Sequence, residues 1–137
     1  MSKECMVILD SSSLLQVYDG LDVIDLLSDV LGRCEFFVLD SIIGELINLS
    51  TTEGFKGRAA SLALHYIRLR GIKVINTVFK GLPADLSLIR FFKSDPSLRN
   101  KYVVATNDVE LRSKLLKLGV KVVTWWPGKH RYILIEP

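Results

Sequence analysis

Four short apolar runs punctuate the chain: Met6–Leu9 (MVIL), Phe36–Leu39 (FFVL), Tyr102–Ala105 (YVVA) and Val120–Trp125 (VKVVTW), with a shorter fifth at Ile72–Ile75 (IKVI). They are rich in Val, Ile and aromatic residues and nearly continuous rather than alternating, as strands covered on both faces of a parallel sheet are. Between them the apolar positions recur at helical spacing. Val23, Leu26, Leu27, Val30 and Leu31 make one stripe, stopped at Gly32, and Ile42, Ile43, Leu46, Ile47 and Leu49 make a second. A third helix is predicted from about Arg58 to Arg70, ending at Gly71. A fourth begins near Pro83, a residue tolerated in a first helical turn, and a fifth covers Val109–Leu118 and ends at Gly119. Tyr132–Ile135 reads as one more strand, at a sheet edge. Ser50–Gly57 (STTEGFKG) is the most loop-like interior segment; it joins two helices and breaks the alternation. Strand alternating with helix implies βαβ units and a three-layer α/β/α sandwich around a mainly parallel sheet. No repeat and no linker divides it, so residues 1–137 are expected to form one domain.

Composition narrows the class. A hydrophobic fraction of 49% with 24% charged residues excludes a disordered tail, and nine Gly with four Pro exclude a collagen-like or low-complexity chain. No apolar run approaches the ~18 residues that a membrane span needs. The N-terminal MSKECMVILD has no basic n-region, long apolar core or small-residue cleavage site, so the expected compartment is the cytoplasm. Two cysteines, Cys5 and Cys34, cannot build a disulfide scaffold, and there is no CxxC for zinc. In their apolar surroundings they read as buried free thiols, with a bridge between them as the alternative. The net charge of +3 hides an asymmetry: residues 1–53 carry ten acids against two bases, −8, and residues 54–137 sixteen bases against five acids, +11. A basic second half points to a polyanionic partner; solvated helix faces are the plain alternative.

Ligands of an open parallel sheet bind beyond the carboxyl ends of its strands. Asp10 follows the first strand, in Leu9-Asp10-Ser11-Ser12-Ser13; Asp40 and Ser41 follow the second, with Glu45 one helical turn later. Asp108 follows the fourth in Thr106-Asn107-Asp108, and Asp85 stands near the start of the fourth helix. Asp10, Glu45, Asp85 and Asp108 are therefore expected to meet in one acidic pocket. Taken singly, Asp85 and Asp108 also suit helix capping, and Asp40 reads as a cap and nothing more. Asp10 ends a buried strand and needs partners or a cation. Four carboxylates without compensating bases repel one another, and a hard divalent ion, Mg2+ or Mn2+, relieves that repulsion.

These residues resemble the PIN-domain nucleases over nearly the whole chain. Asp10-Ser11-Ser12 matches the family's first motif, Gly44-Glu45-Leu46 the second, Ala84-Asp85 the third and Thr106-Asn107-Asp108 the fourth. Lys56-Gly57-Arg58-Ala59-Ala60 and the Gly119-Val120 turn are most similar to archaeal members, whether ribosomal-RNA-processing-like or VapC toxin-like. Leu86 departs from relatives that carry a second acid there, and Trp125-Trp126-Pro127-Gly128 is unusual. The resemblance implies a PIN-like fold and a Mg2+- or Mn2+-dependent endoribonuclease that hydrolyses single-stranded RNA. The setting is RNA processing or the toxin of a toxin–antitoxin pair. Asp10 and Asp108 would hold metal most directly, and Asp85 and Glu45 directly or through water. Ser11 and Thr106 would orient carboxylates or waters, and Asn107 would do likewise or cap the fifth helix. Implied partners are single-stranded or structured RNA, a second copy of the chain, and an antitoxin or ribosome-assembly protein; no membrane is implied.

Other candidates are weaker. Lys56, Arg58, Lys80, Arg90, Lys93 and Arg112 flank the acids in sequence and are candidates for the RNA backbone. Lys129-His130-Arg131 beside Trp126 suits a phosphate or base contact, or a solvated turn. His65 reads as a packed helix residue, Trp125 as core and Trp126 as exposed. The alternative function is a non-catalytic PIN-like module that binds RNA or protein in a larger assembly. A phosphorelay receiver is excluded because Asn76-Thr77, not Asp, follows the third strand, and a dinucleotide site because no GxGxxG follows a strand.

Overall fold

A computed structural model of the protein describes residues 5–137. Their most apolar run lies at the centre of the sheet. Strand β1 (Cys5–Leu9) has Val7, Ile8 and Leu9 without any exposure, flanked by parallel β2 (Cys34–Leu39) and β4 (Val103–Ala105). With β3 (Lys73–Ile75), β5 (Val122–Trp126) and β6 (Arg131–Ile135) the order is β3-β2-β1-β4-β5-β6. All pairs are parallel except β5–β6, which makes β6 the antiparallel edge strand that the C-terminal pattern predicts.

Helices complete a three-layer α/β/α sandwich. They are α1 (Ser11–Leu14), α2 (Val23–Leu31), α3 (Asp40–Ser50), α4 (Phe55–Leu69), α5 (Ala84–Ser94) and α6 (Val109–Lys117). Helix α3 packs on α4 and α5, α5 on α6, and α2 on β2 and β6. The glycines read as helix stops, Gly32, Gly71 and Gly119, all adopt positive φ, where a side chain is strained. Tyr66 of α4 anchors α2: its hydroxyl donates to Asp22 and accepts from the Ile24 N–H, and Arg70 pairs with both Asp22 and Asp25. Despite partial desolvation, the Tyr66 hydroxyl, the Asp25 amide and Arg70 hold the Asp22 carboxyl below its ordinary range.

The structure corrects several expectations. The cysteines are not free thiols: Cys5 and Cys34 face each other in the β1–β2 register and form a disulfide. The bridge, read from the sequence only as the alternative, is decided by sheet register, which joins two positions separated by 29 in sequence. Strand β3 is not covered on both faces; it is an edge strand of three residues whose Lys73 and Val74 are exposed. The serines after β1, to which the apolar pattern assigns no element, form a helical turn continued as a 3-10 turn over Leu15–Asp19. Helix α4 starts inside the segment read as loop, and His65 on it is exposed rather than packed.

The turn from α3 into α4 is set by close backbone approach. A Cβ on Gly57 would lie 1.9 Å from the carbonyl oxygen of Thr52, whereas one on Gly44, within α3, would meet nothing within 4 Å. The two Gly→Ala substitutions should therefore act oppositely. Gly57→Ala should cost about 1–3 kcal/mol through overpacking, and Gly44→Ala should gain about 0.5–1 kcal/mol through helix propensity. Equal melting shifts for the two in urea or thermal unfolding would contradict this packing.

Candidate active site at the carboxyl edge of the sheet

The chain leaves β1 through Asp10, whose N–H binds the carbonyl of Ala105 at 2.9 Å, so its side chain emerges between the ends of the two central strands. Asp10 is 5% exposed. Its Oδ2 accepts from the hydroxyls of Ser12 at 2.9 Å and Thr106 at 2.8 Å. Burial pushes the carboxyl above its ordinary value; the Thr106 and Ser12 hydroxyls and the Ser11 and Ser12 backbone amides only partly offset this. Each hydroxyl has one proton and spends it on Asp10. Each also accepts a backbone amide: Ser12 Oγ from Asn107 at 2.9 Å, and Thr106 Oγ1 from Asp108 at 3.1 Å. A continuous chain of hydrogen bonds thus runs from the Asp108 backbone to the buried carboxylate. The hydroxyl support comes from Ser12 and Thr106, while Ser11 acts through its backbone amide.

Asp108 caps α6, its Oδ1 accepting from Glu110 N at 3.0 Å and Leu111 N at 3.1 Å. Asn107 does not cap that helix. Its Oδ1 accepts from Trp125 N at 2.9 Å and its Nδ2 reaches the carbonyl of Ser12 at 3.5 Å, so it fastens β5 to the segment after β1. Asp85 lies in the first turn of α5, which has no side-chain cap. Asp85 and Asp108 line one hollow of about 300 Å3, shared with Lys93 and Lys114. Glu110 lines the same hollow and pairs with Lys114 at 3.1 Å, which leaves Lys93, among the described residues, as the one base there without an acid partner beside Asp85 and Asp108. Glu45 lines a second hollow of about 470 Å3, with Ser41, Lys80 and Gly81 to Ala84, next in sequence to Asp85. Among the described residues no group of three His, Cys, Asp or Glu side chains stands close enough to hold a metal ion. The four acids thus stand in three places: Asp85 with Asp108 in one hollow, Glu45 in a hollow whose lining ends at Ala84, and Asp10 buried and bound by Thr106.

Two positions off the motif carry the scaffold. Asp40, expected to be a cap and nothing more, is not the cap of α3: it is that helix's first residue, after Leu39, and no side chain caps the helix. Buried at the start of α3, it accepts from Ser41 N at 3.0 Å and from both the N–H and hydroxyl of Thr77 at 2.9 Å, tying the loop after β3 to the end of β2. Ser41 Oγ and Ser87 Oγ hydrogen-bond between α3 and α5. Because Ser87 donates to the carbonyl of Ala84, Ser41 is the donor in that pair. Both bonds fix the start of α5, and with it Asp85. Neither was legible as such: Ser87 follows the Ala84-Asp85 motif within one turn of helix, but its partner Ser41 is 46 residues away in sequence.

Of the basic candidates, Lys56 and Arg58 stand exposed in the first turn of α4, and Arg112 is half-buried on α6. Lys129, His130 and Arg131 are exposed in the β5–β6 connection. There Lys129 Nζ lies 5.6 Å from the centre of the Trp126 ring and His130 packs edge-on against Trp125 at 5.0 Å. Trp125 is half-buried against the core and Trp126 is 42% exposed. This connection stands at the same sheet edge as Asp10, because β5 runs parallel to β4.

The sequence matches the PIN-like domain family over residues 7–126. No curated protein matches it. Among solved structures, the PIN domain endonuclease Utp24 is similar with a TM-score of 0.78 and 19% identity, over 96% of this chain and 92% of that one. The T5 D15 protein, co-crystallised with metal ions, gives a TM-score of 0.47 and 12% identity over 94% of this chain and 56% of its own. T5 5′-exonuclease with bound zinc gives 0.44 and 11%, over 96% and 58%.

A carboxylate whose folded-state value is raised is a stability liability at neutral pH. Between the ordinary carboxylate range and its raised value, Asp10 binds a proton only in the folded state, so its contribution to stability is lost as pH rises through that window. In EDTA, the stability of Asp10→Asn relative to wild type should therefore increase as pH rises through that window. A variant that is less stable than wild type by the same amount at every pH would show that desolvation is not the dominant effect on Asp10.

Proposed function

Because the chain belongs to the PIN-like domain family, we propose that it is a Mg2+- or Mn2+-dependent endoribonuclease acting on single-stranded RNA. The observation that carries this reading is the buried Asp10, supported by hydroxyls and backbone amides and hydrogen-bonded through Thr106 to the segment that presents Asp108 beside Asp85. Utp24, which shares the fold over nearly its full length, is a PIN domain endonuclease, and endonuclease chemistry is the part of that description extended to this chain.

The donor set fits a hard cation in kind: carboxylate oxygens, one of them desolvated and supported by hydroxyls and amides. Asp10, Asp85 and Asp108 would hold the ion, with Glu45 reached directly or through water. When bound, the ion supplies a water of lowered pKa and offsets charge on the phosphoryl oxygens. The chain's own part is positional. Thr106 and Ser12 keep Asp10 oriented as an acceptor, the α6 cap keeps Asp108 at the mouth of the hollow, and the Ser41–Ser87 bond keeps Asp85 opposite. Lys93 in the same hollow, and Lys129, His130 and Arg131 at the neighbouring turn, suit the phosphates of a bound strand. The setting we infer is RNA processing or the toxin half of a toxin–antitoxin pair, and an adjoining gene for a small binding partner would decide for the toxin. One observation favours a second reading, a non-catalytic module for RNA or protein: no three candidate ligands among the described residues close on one point.

Two experiments test the reading. The purified protein should cut single-stranded RNA in Mn2+ or Mg2+, leave 5′-phosphate ends, and be silent in EDTA. Asp108→Asn should keep the fold, since Asn also caps α6, yet lose more than about tenfold in rate with one anionic ligand gone. Cyclic phosphate ends, or cleavage that survives both EDTA and Asp108→Asn, would refute the metal-dependent mechanism; RNA bound but never cut would favour the non-catalytic module. In a separate titration, the logarithm of RNA affinity should fall linearly with the logarithm of salt concentration, and Lys129→Ala with Arg131→Ala should reduce that slope. A flat response would leave these bases as solvated surface.

A further inference from the structure

Ser12, whose hydroxyl binds Asp10, also lines a hollow of about 490 Å3 that the metal chemistry does not use. Its other walls include Gln16, Tyr18, Asp19, Phe55 and Lys56. Two aromatic rings here stand out into solvent: Phe55 is 60% exposed and Tyr18 40%. Exposing large rings is costly unless something covers them. Phe55 opens α4 and Tyr18 sits in the turn after β1, so two elements separated in sequence turn their rings toward one hollow. Arg58 Nε donates to the Tyr18 hydroxyl at 3.3 Å and tethers that ring. Polar groups occur beside the rings in complementary kinds. The Asp19 carboxylate can only accept, while Gln16, with its Oε1 taken by the Tyr132 hydroxyl, has its amide N–H groups left to donate. The charge next to them is positive: Lys56 and Arg58 sit in the first turn of α4, where there is no acid and no side-chain cap.

We propose that this hollow is a subsite for one unpaired nucleobase of the RNA strand, stacked on Phe55 and Tyr18, with its neighbouring phosphate at Lys56. Rings to stack on, a donor and an acceptor for a base edge, and cations for the backbone are the three elements of single-strand recognition. Ser12 makes the subsite continuous with Asp10, so a base seated there holds the adjoining strand at the proposed cleavage site. The inference rests on the endoribonuclease reading for the identity of the strand. It requires no cleavage and is tested by binding alone.

The probe is a short oligoribonucleotide carrying a single 2-aminopurine, whose fluorescence is quenched by stacking, titrated with protein in EDTA. Wild type should quench it. Phe55→Ala should lose the quenching and about tenfold in affinity, while Phe55→Trp restores both. Ile47→Ala, at an apolar residue also exposed (50%) but outside the hollow, should change neither. Asp108→Asn should keep the quenching while losing cleavage, which separates failure of the subsite from failure of the nuclease reading. Equal quenching and affinity for wild type and Phe55→Ala would overturn the proposal, as would a wild type that quenches no unpaired base. So would concentration-dependent dimerisation that Phe55→Ala abolishes, since the rings would then be covered by a second copy of the chain.

Discussion

The arrangement of this protein turns on the cost of ending its most buried strand in a carboxylate. Val7, Ile8 and Leu9 are fully enclosed, and Asp10 follows them before the chain reaches solvent. An ionised group in that position is tolerable only if its lone pairs are met. Two hydroxyls and two backbone amides meet them, and these donors come from both sides of β1: Ser11 and Ser12 from the turn that follows it, Thr106 from the end of β4. The carboxylate is therefore a node through which β1, β4 and α1 share one geometry. Each hydroxyl is also used twice, so displacing Thr106 would disturb the amide of Asp108 as well as Asp10.

Asp40 does for the neighbouring strand what Asp10 does for β1, with a different consequence. It too is an acid at the end of a buried strand, but its oxygens are met by Ser41 and by both donors of Thr77. The bonds to Thr77 cross to the end of β3 and hold the long connection that leads to Pro83 and Asp85. Asp40 is spent on architecture, whereas the environment of Asp10 leaves its charge poorly solvated. Two similar residues thus separate into a clamp and a candidate ligand by what surrounds them; the sequence sets Asp10 apart from Asp40, but not the bonds to Thr77 that make Asp40 a clamp.

The apolar runs were enough to read the order of the strands and of the five longer helices, though not α1, because a parallel sheet covered on both faces writes itself as short continuous apolar segments. They misjudged β3, whose edge position leaves Val74 and Lys73 exposed. The four acids were legible as residues at strand ends and helix starts. Their separation was not, since Glu45 and Asp85 line separate hollows only by virtue of how α3 and α5 meet through Ser41 and Ser87. Asn107 was misread for the same reason: its partner, the Trp125 amide, belongs to a strand 18 residues further on. What was lost in each case is a contact across elements, which periodicity along one element cannot carry.

The same distinction governs the charge asymmetry. Sixteen bases in the second half against ten acids in the first suggest a free basic surface, but part of that excess is consumed inside the fold. Arg70 pairs with Asp22 and Asp25, and Lys73 with Glu35, all across the two halves; exposed as they are, such pairs add little stability, yet they neutralise. Lys114 and Lys121 find acids within their own half. Among the described residues the other twelve of these sixteen bases make no ion pair with an acid, among them Lys56, Lys93, Lys129 and Arg131. Lys93 lines the Asp85–Asp108 hollow, Lys56 the aromatic hollow beside Asp10, and Lys129 and Arg131 the turn at the end of β5. The electrostatic case for a polyanion therefore rests on where these few cations stand, around the candidate site, rather than on the +11 of the second half.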